Sequence, residues 1–176
     1  VDPTNGQVSE GVQLDLTFLV TKLDNAACIP LAGVQVDVWH CDADGIYSDT
    51  NQLGFQTVGQ KFLRGYQVTD ASGVAKFTTI YPGWYEGRAV HIHFKIRTDP
   101  DSEQGYEFTS QLFFPEDITD IVHAEGIYED KGYRNVLNAE DNIFQSSEGL
   151  LTLELVENED GEGYTANFSI GLDLSE

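Results

Sequence analysis

Two of the four histidines stand one residue apart, in His91-Ile92-His93. In a β-strand, residues i and i+2 point to the same face, so both imidazoles look into one space. Neutral imidazole suits zinc, copper, iron or nickel, and such a pair is half of a metal site. Alone, it reads equally as two polar residues on a wet face. Three neighbours extend it. Arg88 lies three residues before His91. Tyr85 follows a Pro82-Gly83 turn that could deliver it to the same end of the sheet. Tyr47 follows an Asp44-Gly45 turn at the end of another alternating run. A tyrosine after a turn is ordinarily half-buried packing with its hydroxyl satisfied, so each taken singly reads as structural.

The elements that must position these residues have a period of two. Leu14, Leu16 and Phe18 alternate with Asp15, Thr17 and Leu19, and Val34, Val36 and Val38 with Gln35, Asp37 and Trp39. Similar runs cover residues 73–80, 91–96, 108–114, 151–156 and 164–170. They are short, rich in β-branched and aromatic residues, and bounded by turns such as Asp160-Gly161. About eight such strands predict an all-β fold, a β-sandwich of two sheets with long irregular loops and little helix. Residues 115–149 break the pattern with Asp, Glu, Asn and Gly. A connection that long is uncommon inside a compact domain unless it is functional, and one or two helical turns are expected in it, around Asp117 to His123.

The chain of 176 residues, 40% hydrophobic and 11% aromatic, predicts a single globular domain over 1–176. No run of 18 or more apolar residues suggests a membrane span. Thirty acidic residues against nine basic ones give a net charge of −21. Such a field repels nucleic acid and anionic lipid, and both are set aside as partners. Residues 99–176 carry −18 of it, which reads as a solvated surface. The first residue is Val1 and no leader precedes it, so a leader has been removed or the chain was cut. Cys28 and Cys41 could close a small loop or be two buried thiols; with an acidic surface, the balance tilts to an extracellular or periplasmic protein and a disulfide.

Taken in order, several blocks resemble the catalytic core of the intradiol ring-cleavage dioxygenases, the ferric family of the protocatechuate and catechol enzymes. They are Val-Asp-Val-Trp-His-Cys-Asp-Ala-Asp-Gly-Ile-Tyr-Ser (36–48), Phe62-Leu63-Arg64-Gly65, residues 78–85, and Gly87-Arg88-Ala89-Val90-His91-Ile92-His93-Phe94. Residues 109–114 and 134–141 also fit. The chain looks most similar to the short, exported members, which lack a helical dimerisation segment; the resemblance leaves monomer and homodimer open. It implies a non-haem Fe(III) cofactor with Tyr47, Tyr85, His91 and His93 as ligands, and catalytic roles for Arg88, Gln111 and the displaceable Tyr85. Two phenolates and a hydroxide would balance the ferric charge, unlike the two-histidine, one-carboxylate set of ferrous oxygenases. The implied partners are a catechol and O2, and the implied reaction is aromatic ring opening to a cis,cis-muconate.

The other residues singled out read structurally. His40 is a satisfied structural histidine, His123 faces solvent, Trp39 is core, Arg64 is structural and Glu86 is an exposed turn residue. Trp84 either walls the pocket or packs. No Glu-Gly-Pro-Tyr-type segment, usual in exported members, lies between Val1 and Glu10, implying a trimmed chain or a more open pocket. A non-catalytic sandwich module retaining a metal site is the alternative function; a zinc hydrolase lacks a third carboxylate or cysteine ligand at conventional spacing.

Overall fold

Period-two patterning folds as strands because alternate apolar side chains can all enter one core face. The computed structural model describes residues 1–25, 27–52, 55–102 and 104–175. Among these residues the chain forms β1 (Gln13–Asp24), β2 (Ala27–Pro30), β3 (Gln35–Trp39), β4 (Asn51–Gln52), β5 (Phe55–Gln56), β6 (Arg64–Val68) and β7 (Val74–Ile80). Then follow β8 (His91–Arg97), β9 (Glu107–Phe113), helices α1 (Glu116–His123) and α2 (Asn142–Ser146), and strands β10 (Leu155–Glu157) and β11 (Gly163–Leu172). Short 3-10 turns lie between the helices at Gly126–Lys131 and Asn138–Glu140.

The long β1 organises the first sheet. It pairs in parallel with β11 on one edge; on the other, β7 takes its first half and β2 its second, both antiparallel. β10 closes the far side of β11. The second sheet runs β6-β3-β8-β9, antiparallel throughout. Leu14, Leu16, Phe18 and Val20 of β1 face Val36 and Val38 of β3 and Ile92, Phe94 and Ile96 of β8 across the sandwich, all buried. The Phe94 ring of β8 lies 5.5 Å from Phe18 of β1 and 5.5 Å from Phe168 of β11, which locks the two sheets together. Full burial of each such side chain contributes about 1.5–3 kcal/mol. The expected all-β sandwich is therefore the fold.

Three expectations change. Cys28 is exposed on the edge strand β2, Cys41 is buried beyond the end of β3, and both are free. The Cys41 thiol instead donates to the Gly83 carbonyl at 3.3 Å. His123 does not face solvent: it is the buried last residue of α1, with Nε2 donating to the Pro82 carbonyl at 3.1 Å. Trp39 is only half-buried and lies outside the sandwich core. Residues 115–149 hold α1, α2 and the 3-10 turns, and they pack against the loop before β8.

Candidate metal centre

β8 places His91 and His93 on one face, as the i, i+2 rule requires, with Trp39 of β3 and Gln111 of β9 opposite His93 in register. The Trp39 and His93 rings stack 4.9 Å apart and 4° from parallel. Trp39 therefore holds an imidazole rather than filling the core.

Two loops bring in the tyrosines. After β3, the Asp42 carboxylate accepts from the amides of Asp44 and Ile46 at 3.0 and 2.8 Å, an Asx turn that swings Tyr47 inward. Gly83 donates its N–H to the Asp42 carbonyl at 3.0 Å. This approach is too close for side chains. A Cβ at Gly83 would lie 2.6 Å from the Ala43 carbonyl carbon, and one at Gly45, where φ is +75°, would lie 2.9 Å from that of Trp84. The paired loops thus bring Tyr47 and Tyr85 together, their ring centroids 5.6 Å apart. Distant residues brace them. Thr57 Oγ1 donates to the Tyr47 carbonyl at 2.6 Å, and Arg64 donates to Ser48 through Nε and Nη2 at 2.9 and 3.0 Å. Tyr128 Oη donates to the Tyr81 carbonyl at 2.7 Å. Arg64 is structural here, and so is buried His40, which bonds the Cys41 carbonyl and Thr79 Oγ1.

The four donor atoms converge. His91 Nε2 lies 3.4 Å from Tyr47 Oη, 3.2 Å from Tyr85 Oη and 3.2 Å from His93 Nε2. Donors bonded to one ion at about 2.0–2.1 Å in near-tetrahedral directions stand roughly 3.3–3.4 Å apart, so this spacing fits a single metal ion. His91 Nδ1 donates to the Ala89 carbonyl at 2.7 Å, which leaves Nε2 with its lone pair facing the other donors. Without a cation the pocket opposes charge of either sign. Burial, Cys41 and Tyr85 push the Tyr47 phenol far above its ordinary value, and burial raises Tyr85 as well. Burial pulls His91 down to about 3 and His93 to about 4. A metal ion in contact with the oxygens reverses that preference and makes phenolate favourable.

Arg88 and Gln111 complete the group. Arg88 Nη2 donates to Gln111 Oε1 at 2.5 Å, and Gln111 Nε2 lies 3.3 Å from His93 Nδ1. All six residues singled out in the sequence therefore share one site. A cleft of about 720 Å³, lined by Ile46, Phe55, Trp84, Tyr85 and Lys131 among others, borders it. Trp84 both lines this cleft and packs: Lys131 sits 5.0 Å over its ring, and its Nε1 donates to the Gly132 carbonyl at 3.0 Å. Glu86 is exposed in its turn.

The family model described as Dioxygenase matches residues 5–172. Chlorocatechol 1,2-dioxygenase of Pseudomonas putida is 31% identical over 103 residues, 48% of this chain and 36% of that one. The protocatechuate 3,4-dioxygenase beta chain of Burkholderia cepacia is 30% identical over 125 residues, 66% of this chain and 52% of that one. The solved intradiol ring-cleavage dioxygenase from Tetranychus urticae shares the fold, with a TM-score of 0.81 at 24% identity over 96% of this chain and 84% of that one. The chain belongs to the intradiol ring-cleavage dioxygenase family. It spans about a third to a half of the length of the two curated relatives.

For this family member, sequence reasoning missed two contributors. Asp141 lies in a matching block, but its role was not read; the signal was an Asp directly before a short helical run, an N-cap position. The stacked Trp39 gave no signal beyond its place opposite His93, because an aromatic on a strand is usually core.

Proposed function

We propose that the chain is a non-haem iron(III) dioxygenase that opens a catechol between its two hydroxyl-bearing carbons, with both atoms of O2 entering a cis,cis-muconate-type product. The convergence of two phenol oxygens and two imidazole nitrogens, with an arginine and a glutamine beside them, carries this reading. Tyr47, Tyr85, His91 and His93 would hold the ion. Bound iron(III) supplies an acceptor that draws electron density from a chelated catecholate ring.

This chain's residues divide the remaining work. Tyr47 is buried and braced through its own carbonyl, so it is the permanent anionic ligand. Tyr85 is half-buried at the cleft, so its phenolate oxygen is the base that takes a catechol proton. Arg88 is a fixed cation beside the site and stabilises negative charge that develops on the substrate. Gln111 orients Arg88 from the other side. The net charge of −21 slows the approach of carboxylated catechols, so a neutral catechol is the favoured substrate.

The test is the visible spectrum of the iron(III)-loaded protein before and after anaerobic catechol, followed by admission of O2. A tyrosinate charge-transfer band that moves to longer wavelength with catechol, then muconate formation, is expected. An iron-loaded protein with no such band would refute tyrosinate ligation.

A further inference from the structure

Asp141 is buried, its side chain 1% exposed, and every partner of its carboxylate is a donor. Oδ2 accepts from Arg88 Nε at 2.8 Å and from the Ala89 amide at 3.0 Å. Oδ1 accepts from the amides of Ile143 and Phe144 at the start of α2, at 2.9 and 3.3 Å, and from Arg88 Nη2 at 3.4 Å. Capping α2 needs only Oδ1. The other oxygen is spent on the segment that carries the site.

Two routes lead from that oxygen to the histidines. The Ala89 amide bonds Asp141, and the Ala89 carbonyl accepts from His91 Nδ1. Arg88, held by Asp141, grips Gln111, whose amide nitrogen faces His93 Nδ1. The outer nitrogen of His91 is thus braced from this carboxylate, and the Gln111 side chain beside His93 is held through Arg88 by the same one. The same carboxylate fixes the rotation of the guanidinium, because it takes Nε while Gln111 takes Nη2. Among the described residues, Nη1 meets no protein acceptor.

We infer that Asp141 is a positioning residue of the proposed dioxygenase site: it sets the orientation of Arg88, steadies the outer nitrogen of His91 through Ala89, and through Arg88 fixes the place of Gln111 beside His93. The inference rests on the reading of this site as an iron catechol centre. Partners of this outer kind typically change activity or metal affinity by about 10–100-fold.

The test compares wild type, Asp141→Asn, Arg88→Ala and the double variant. Asparagine is a good N-cap, so α2 can keep its cap, but an amide nitrogen then faces the donors of Arg88 and Ala89. In Asp141→Asn, iron uptake and the tyrosinate band are expected to persist. With catechol, kcat falls about 10–100-fold while KM moves less than about threefold. In the Arg88→Ala background the same change costs less than about threefold, since the group it orients is gone. A kcat within twofold of wild type, or an equal loss in both backgrounds, overturns the assignment. A readout independent of activity, and needing no variant to fold, is the Arg88 Nε–H resonance of the metal-free wild-type protein. It should exchange slowly with solvent; exchange as fast as in a free arginine overturns the pairing. Wild-type iron protein that leaves catechol untouched refutes the reading of the site, whereas active wild type matched by Asp141→Asn refutes the role of Asp141 alone.

Discussion

Replacing Gly83 with alanine tests whether backbone contact between two loops sets the tyrosine pair. Gly83 does not occupy the left-handed region, so alanine adds no backbone strain of its own. Its Cβ, however, would lie 2.6 Å from the Ala43 carbonyl carbon and 2.8 Å from the Asp42 oxygen, with the Ala43 oxygen closer still. Overpacking costs about 1–3 kcal/mol where side chains can move aside. Here the obstacles are main-chain atoms, which gives about 3 kcal/mol. For a domain of this size that lowers Tm by roughly 6–12 °C. Gly65→Ala is the matched control: Gly65 also lies outside the left-handed region and has nothing within 4 Å of the added carbon. Its alanine should stay within about 1 kcal/mol of wild type. Thermal unfolding of the metal-free proteins by circular dichroism gives the energies, and visible absorption of the iron(III)-loaded forms reports the tyrosines. Tyr85 stands two residues beyond Gly83, so Gly83→Ala should also weaken the charge-transfer band. If Gly83→Ala unfolds within about 2 °C of Gly65→Ala and keeps the full band, the two loops do not position the tyrosines in this way.

Arg88→Ala should bind iron as wild type does and turn catechol over about 10²–10³-fold more slowly in steady-state assays, the usual loss on removing one charge-stabilising donor. Acid should destabilise the metal-free protein through His40, which burial holds at about 4. Below the ordinary value of 6.5 the unfolded chain takes up a proton that folded His40 refuses, so stability falls from pH 6.5 towards 4; at pH 5.5 this amounts to about 1.4 kcal/mol. His91, His93 and His123 are lowered by burial too and add losses of the same sign, so urea titrations of wild type and His40→Gln at pH 7 and 5.5 isolate the His40 share as the difference between the two, the variant showing the shallower fall. A thiol reagent should label one cysteine, Cys28, in the native protein and both after denaturation, because Cys41 is buried and its thiol is pushed up to about 12. Catechol should exceed protocatechuate in kcat/KM at low salt, and the ratio should narrow as salt screens the −21 charge; a ratio that ignores salt would count against steering.

Where side-chain patterning alone decides structure, the sequence is readable. β1, β3, β7, β8, β9 and β11 fall on the predicted alternating runs; β1 and β3 bury every second residue of their core stretch, and β8 does so from Ile92 to Ile96, whereas β9 ends on three consecutive buried residues beside the site. The edge strands β2 and β6 are not visible in that pattern: neither carries a buried face, and hydrogen bonding to a neighbouring strand defines them instead. β10 is shorter than the predicted 151–156 run because the chain turns there, Thr152 donating its amide to the Gly149 carbonyl. His123 was misread for a related reason. It lies among acidic residues, and only the packing of α1 onto the Pro82 loop buries it.

The site itself was legible as a set of residue types, since Tyr47, Tyr85, Arg88, His91, His93 and Gln111 stand in recognisable blocks. What holds them was not, because each brace comes from elsewhere in the chain. A strand can carry His91 and His93 by its own hydrogen bonding, but a loop residue has no ladder to fix it. Arg64 and Thr57 fix the Tyr47 loop, Tyr128 and His123 grip the carbonyls of Tyr81 and Pro82, and Asp141 holds Arg88 and Ala89. Four of these six bonds are between residues 40 or more positions apart. Half of the acceptors are main-chain carbonyls, which no side-chain pattern advertises. This also explains the long irregular stretch after β9. It contributes little to the sandwich core, yet it supplies Tyr128, His123 and Asp141, so its place in the fold is to steady the loops on which the proposed site residues stand.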